Sequence, residues 1–156
     1  SGLRVLDTRK TIPGLRLAQK YAVAVGGCEN HRIGLFDAFL IKENHIAACG
    51  GIQSAIRTAR AISADKRIEI EVENIAELRL ALSAGADAIM LDNFSTADIS
   101  ALSEIDVAGT EIEVSGNLTD TDLVKYKNTG IDFVSSGSLT KHIAAIDLSM
   151  RIIDPT

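Results

Sequence analysis

The chain has 156 residues, 46% hydrophobic and 24% charged, which suffices for one domain with a packed core and argues against disorder. A formal net charge of -5 weighs against nucleic acid as a partner. No apolar stretch approaches the roughly 20 residues of a membrane helix, and no charged-then-apolar leader opens the chain, so a cytoplasmic protein with no membrane partner is expected.

Aromatic residues are only 4%, whereas Ile, Leu, Val and Ala dominate, a composition suited to buried parallel strands covered by helices. The chain opens at Ser1 without Met and enters an apolar strand by Leu3, as the second half of a larger protein would. Strand-length apolar runs recur at 3–6, 38–41, 68–72, 88–91, 112–114 and 133–134, with helical patterns between them. Pro13 opens the first helix, with Leu15, Ala18, Ala22 and Val25 on one face; Ile52, Ala55, Ile56 and Ala59 stripe the second. Asn74 with Glu77 forms a capping box for the helix carrying Ile75, Leu78 and Leu82, which Gly85 ends. Ile99, Leu102 and Ile105 mark the fourth helix. Thr119 caps the fifth, Gly130 terminates it, and Leu139, Ile143, Ile146 and Met150 stripe the last.

The stretches beginning Gly85-Ala86-Asp87-Ala88 and Gly130-Ile131-Asp132-Phe133 share one plan: helix stop, acidic residue, short apolar strand. Repeated βα units with right-handed crossovers predict an α/β fold with a parallel sheet, curled into a TIM-like βα barrel. About six strands, where a closed barrel has about eight, predict an incomplete or open barrel. One domain, 1–156, is expected.

In such barrels the chemistry gathers where strands end. Here strand one runs into Asp7-Thr8-Arg9-Lys10 and strand two into Lys42-Glu43-Asn44-His45; strand three carries Glu69, Glu71 and Glu73 on one pleat face, and strand four ends in Asp92-Asn93. Strands five and six lead into Ser115-Gly116-Asn117 and Ser135-Ser136-Gly137-Ser138. Arg9 and Lys10 could be a solvated surface pair, but with Arg32 and Lys42 beside the same mouth they suit an anionic substrate, since Arg grips carboxylates bidentately and Lys adds a point charge. His31 reads equally as a structural hydrogen bonder or a ligand contact, while His45 and His142 read as capping or surface residues. Lys42 is either a Schiff-base nucleophile or an electrostatic clamp on a departing anion. Glu71 and Asp92 suit a magnesium-diphosphate complex or a cationic sugar transition state, unless they only pair with the cations. The two Ser-Gly turns precede helix starts, where free N–H groups attract phosphate. Cys28 and Cys49 form no Cys-x-x-Cys pair and, with His31 and His45, do not fall at zinc-ligand spacing, so free thiols are expected.

These residues carry a family pattern. Leu6-Asp7-Thr8-Arg9-Lys10-Thr11 with Pro13-Gly14-Leu15-Arg16 resembles the opening of the quinolinate phosphoribosyltransferase barrel domain. Asn30-His31-Arg32, Phe39 to His45, Glu69 to Asn74, Met90 to Phe94, Glu113 to Asn117 and Gly137 to Thr140 resemble its later motifs in order. The resemblance implies phosphoribosyl transfer from phosphoribosyl pyrophosphate to quinolinate with decarboxylation, giving nicotinate mononucleotide, carbon dioxide and pyrophosphate for NAD synthesis. It places Thr8, Arg9, Lys10, His31, Arg32 and Lys42 around the quinolinate carboxylates, with Lys10 and Lys42 near pyrophosphate. It also places Glu71 and Asp92 at the ribose and its Mg2+, and Ser115, Gly116, Asn117, Ser136, Gly137 and Ser138 at the ribose phosphate. Lys10, Lys42, Glu71 and Asp92 are the implied catalytic residues, and Lys141 stands where the family carries histidine. The family's preceding domain covers the barrel mouth and lends an arginine to the partner subunit in a homodimer, so weak or absent turnover by these 156 residues alone is expected. Competing readings are a nicotinate-type phosphoribosyltransferase, a barrel lyase using Lys42, and a non-catalytic binding fragment.

Overall fold

The computed structural model describes residues 2–107, 109–116, 123–126 and 129–153. All six apolar runs are strands: β1 (Arg4–Leu6), β2 (Phe39–Ile41), β3 (Ile68–Val72), β4 (Ala88–Asp92), β5 (Glu111–Ser115) and β6 (Phe133–Ser135). They form one parallel sheet in the order β1-β6-β5-β4-β3-β2, so β1 and β2 are its outermost strands and the barrel is open between them, with the outer side of β1 carrying a single parallel bridge from Leu6 to Glu29.

Period-2 alternation gives this sheet two unlike faces. Ile68, Ile70, Val72, Ile89, Leu91, Ile112, Val114 and Val134 point outward into the hydrophobic core, each such burial contributing about 1.5–3 kcal/mol. Helices α3 (Ile52–Ile62) and α4 (Ile75–Ser83) cover that face with Ile52, Ala55, Ile56, Ala59, Leu78 and Ala81. The expected stripe of α3 is buried at all four positions. Asn74 Oδ1 caps α4 by accepting from Glu77 N at 3.0 Å, and Gly85, at φ 76°, occupies the left-handed turn that ends it. Helix α5 (Thr96–Ala101) passes into a 3-10 turn at Leu102–Glu104, and Ile99, Leu102 and Ile105 are all buried.

The repeated acid of the βα plan has one job in both copies. Asp87 Oδ2 accepts from Ile68 N at 2.7 Å, and Asp132 Oδ2 accepts from Ile112 N at 2.9 Å. Each carboxylate thus ties the foot of its own strand to the neighbouring one.

Two expectations fail, and one helix was not expected. Helix α1 (Arg16–Val25) buries Lys20 and Val23, whereas Leu15, Ala18, Ala22 and Val25 face solvent. This helix lies by the gap between β1 and β2, and its inward face makes polar bonds: Gln19 Nε2 to Thr140 O at 2.7 Å and Lys20 Nζ to Asp7 Oδ1 at 2.6 Å. Helix α2 (Glu43–Cys49), which the sequence pattern did not mark, begins directly after β2 at Lys42, with His45 Nδ1 accepting from Lys42 N at 3.0 Å in keeping with the capping reading of His45. The last stripe forms only α6 (Ser138–Lys141); beyond it Ile143, Ile146 and Met150 are exposed without regular structure, lacking the packing that sustains a short helix. Thr119, expected as a cap, lies outside the described residues, and the described part of that region holds a 3-10 turn at Leu123–Tyr126. Among the described residues no helix is long and apolar enough to cross a membrane, and Cys28 and Cys49 are free.

Candidate functional site

The inner sheet face is polar, and at the carboxyl ends of the strands it opens into a cavity of about 590 Å³. Thr8, Arg9, Lys10, His31, Arg32 and Lys42 line one part of it, Glu71 and Asp92 another, and Ser115, Gly116, Ser136, Gly137 and Ser138 the rest. Asn117 lies outside the described residues. The sequence separations collapse because each residue ends or follows a strand of one parallel sheet.

The cationic arm is braced from behind. Arg16 donates to Arg9 O at 3.1 Å and to Thr11 Oγ1 at 3.1 Å, Thr140 Oγ1 donates to Lys10 O at 2.8 Å, and Lys10 N donates to Thr8 Oγ1 at 3.0 Å. Gly137 packs so closely here that an added Cβ would meet Lys10 Cδ at 3.2 Å. The second arm, Asn30-His31-Arg32, crosses the barrel gap and is pinned by Asp7, which accepts from His31 N at 2.8 Å and from Asn30 Nδ2 at 2.8 Å.

Arg9 Nε and Arg32 Nε are buried without a hydrogen-bond partner. Burial, followed by the neighbouring Arg9, lowers the Arg32 guanidinium from its ordinary value against the opposing pull of Glu69 and Asp37. Two facing guanidiniums with unspent donors need an acceptor that the chain does not supply, and a carboxylate or phosphate supplies it.

Across the cavity Lys42 is ion-paired with Glu71. Among the described residues Asp92 makes no ion pair; its Oδ2 accepts from Asn93 Nδ2 at 2.9 Å. Asn93 holds a left-handed φ of 54°, and Gly116, at φ 151°, leaves room for only 3.3 Å between a built Cβ and Asn93 Oδ1. This turn is strained and close-packed at the functional edge. At the other turn Ser136 Oγ lies 2.6 Å from Ser138 Oγ and accepts from Ser138 N at 3.3 Å.

Of the lining residues, sequence reasoning assigns no role to Leu40 and Met90, names Asn93 and Ser135 only as following their strands, sets Lys141 where the family carries histidine, and reads His142 as a capping or surface residue. Leu40 and Met90 precede Lys42 and Asp92 by two positions, so strand alternation carried the signal for both. His142 closes α6, in keeping with the capping reading, and lines the cavity as well. Nothing in the spacing marked Lys20 as buried.

An open parallel α/β barrel with a mouth lined by Arg9, Lys10, Arg32 and Lys42 is the class that this fold and cavity define. Residues 1–151 match the family described as quinolinate phosphoribosyl transferase, C-terminal domain, and the chain belongs to that family. It is 43% identical over 151 residues to a probable nicotinate-nucleotide pyrophosphorylase [carboxylating] of Bacillus subtilis, covering 96% of this chain and 52% of that protein. The structure of the nicotinate-nucleotide pyrophosphorylase from Francisella tularensis is 55% identical, with a TM-score of 0.91 over 95% of this chain and 53% of that one. NadC from Streptococcus pyogenes is 47% identical, with a TM-score of 0.92 over 97% and 53%. The chain therefore spans about half the length of the relatives it matches.

Proposed function

We propose that the chain forms the barrel domain of an enzyme that transfers phosphoribosyl from phosphoribosyl pyrophosphate to the ring nitrogen of quinolinate. One bond, from the anomeric carbon to pyrophosphate, breaks as the carbon–nitrogen bond forms; the carboxylate next to the nitrogen then departs as carbon dioxide, and the electron pair left on that ring carbon takes up a proton from water, leaving nicotinate mononucleotide. The observation that carries this reading is the pair of buried, partnerless guanidinium donors of Arg9 and Arg32 facing carboxylates and glycine turns across one cavity. A dicarboxylate answers the guanidiniums, with Leu40 and Met90 offering apolar contact to a ring.

Glu71 and Asp92 face the cationic, oxocarbenium-like carbon, while Lys42 and Lys10 receive the charge that develops on pyrophosphate. The Gly116 and Gly137 turns hold the ribose phosphate. Magnesium fits the hard oxygen donors here, since it commonly takes one or two carboxylates with substrate phosphates and water. Lys42 already neutralises Glu71, so Asp92 is the carboxylate available to the ion. When bound, the ion neutralises pyrophosphate charge. A cytoplasmic homodimer belongs to the same proposal, and the exposed Leu17, Tyr21, Leu35 and Phe36 support a covered interface.

The lyase reading is weaker, because Lys42 is engaged with a carboxylate instead of standing desolvated in an apolar pocket. Nicotinate mononucleotide formed from quinolinate and phosphoribosyl pyrophosphate, by the chain joined to the N-terminal part its relatives carry, is the test. Equal product from nicotinate, or borohydride trapping of substrate at Lys42, would overturn the proposal.

A further inference from the structure

Beneath the mouth lies a buried group that the proposed reaction does not use. Glu69 and Glu113, 3% and 2% exposed, bring carboxylate oxygens within 4.8 Å of one another and of His31 Nε2. His31 Nε2 is 3.0 Å from Glu69 Oε2 and 3.6 Å from Glu113 Oε2. The other ring nitrogen, Nδ1, accepts from Arg32 N at 2.7 Å, which puts the ring proton on Nε2, between the carboxylates. With that proton in place the trio holds a proton and not a metal. Glu69 Oε1, Glu113 Oε1 and His31 Nε2 are buried without a hydrogen-bond partner, so the trio is held by close charge and dipole contact.

Two carboxylates this close, away from water, do not both ionise. Burial, then the Glu69 charge, pushes the Glu113 carboxyl well above its ordinary range, while Arg67 and a hydrogen bond from Ser135 pull the other way. At Glu69 burial is outweighed by His31, Arg67 and the hydrogen bond from Glu113, and the carboxyl sits low. The charged groups around Glu113 are therefore Glu69 of β3, His31 and Arg32 of the crossing arm and Arg67 at the foot of β3, with Arg4 of β1, Glu29, Asp37 and Glu111 of its own strand lining the same hollow.

We propose that Glu69 and Glu113 are positioning residues for the dicarboxylate pocket: their buried carboxyl groups flank His31 Nε2 and fix the ring and, through its Nδ1, the backbone that presents Arg32. This inference rests on the quinolinate reading. It makes His31 a brace, with both ring nitrogens turned to the protein, and it makes Glu113 the residue whose ionisation would place a second anion under an anionic substrate.

The test is titration of quinolinate, and separately of phosphoribosyl pyrophosphate, into the full-length protein that carries this chain, at intervals from about pH 6 to 9, a range that spans the upward displacement of a buried carboxyl. Without substitution, quinolinate Kd is expected to rise by up to about tenfold per pH unit once Glu113 ionises. E113Q, which keeps the donor of the protonated acid and cannot ionise, flattens that rise. E69Q removes the charge that lies 3.0 Å from His31 Nε2 and weakens quinolinate by about tenfold at every pH, with phosphoribosyl pyrophosphate affinity changed by less than about twofold. Superimposable pH profiles for E113Q and the unsubstituted protein, or equal loss of both ligands in E69Q, would overturn the positioning role alone. Failure of the unsubstituted protein to bind quinolinate would overturn the parent reading and this one together.

Discussion

Lys20 Nζ lies 2.6 Å from Asp7 Oδ1, with the lysine 2% and the aspartate 0% exposed, and the same ammonium donates to His31 O at 2.6 Å. Asp7 is the first residue after β1 and Lys20 lies within α1, so the pair ties the cationic arm to the arm crossing the barrel gap. Every charge is matched: Asp7 also accepts from His31 N and Asn30 Nδ2, and Asn30 Nδ2 reaches Lys20 O. A satisfied buried pair adds little stability by itself, but breaking it strands the other charge.

Lys20→Met is therefore expected to lose about 3–5 kcal/mol of unfolding free energy and to release the Asn30-His31-Arg32 arm. Denaturant unfolding reads the first effect and quinolinate titration the second. Stability within about 1 kcal/mol of the parent, the scale of a single ordinary hydrogen bond, would show that the pair does not hold the gap.

The strands were legible because their buried outer faces demand unbroken β-branched alternation, as at Ile68, Ile70 and Val72. The site was legible because a parallel barrel brings strand ends together wherever they fall in sequence. Helix α1 was misread for a related reason. Hydrophobic periodicity reports which face is apolar, not which face is covered, and beside the open edge the polar face of Lys20 turns inward while Tyr21 and Val25 stay exposed. Glu113 was passed over because an isolated glutamate on a strand carries no mark of its burial; the sign came from alternation with Ile112 and Val114.

Arg32→Lys tests the guanidinium whose Nε is buried without a partner while its Nη1 donates to Ala38 O at 3.2 Å. A lysine keeps the charge but loses the planar fork, so affinity for a dicarboxylate should fall about 10- to 100-fold while the fold is retained, the loss of a charge-assisted pair being about 1.5–3 kcal/mol. Calorimetric titration beside a thermal melt separates the two. Unchanged affinity would remove Arg32 from the pocket.

Gly116→Ala tests the strained turn. Its φ of 151° and the 3.3 Å approach of a Cβ to Asn93 Oδ1 leave an alanine no relaxed conformation. A cost of about 1–3 kcal/mol is expected, together with weaker binding of phosphoribosyl pyrophosphate. Denaturant titration and ligand binding on one preparation decide this, and a neutral substitution would show that the turn is free to relax.

Asp87 and Glu113 should drive stability in opposite directions with pH. Burial pushes the Asp87 carboxyl up, but the Arg60 hydrogen bond and the Ile68 N–H outweigh it and hold it below its ordinary value. A depressed acid contributes stability that is present above the unfolded value of about 3.9 and lost as pH falls through the folded value. Glu113 is raised, so its contribution is fully present below the unfolded value of about 4.3 and declines as pH rises through the folded one. Asp87→Asn should therefore shrink the acid limb of a Tm-against-pH curve, and Glu113→Gln should shrink the decline on its alkaline side. Because Asp87 is partly exposed, its effect is the smaller and the more sensitive to salt. Melting curves at low and high ionic strength separate the pair: the Asp87 limb fades with salt and the Glu113 limb persists, and a Glu113→Gln curve identical to the parent on the alkaline side would show that the buried carboxyl is not held protonated.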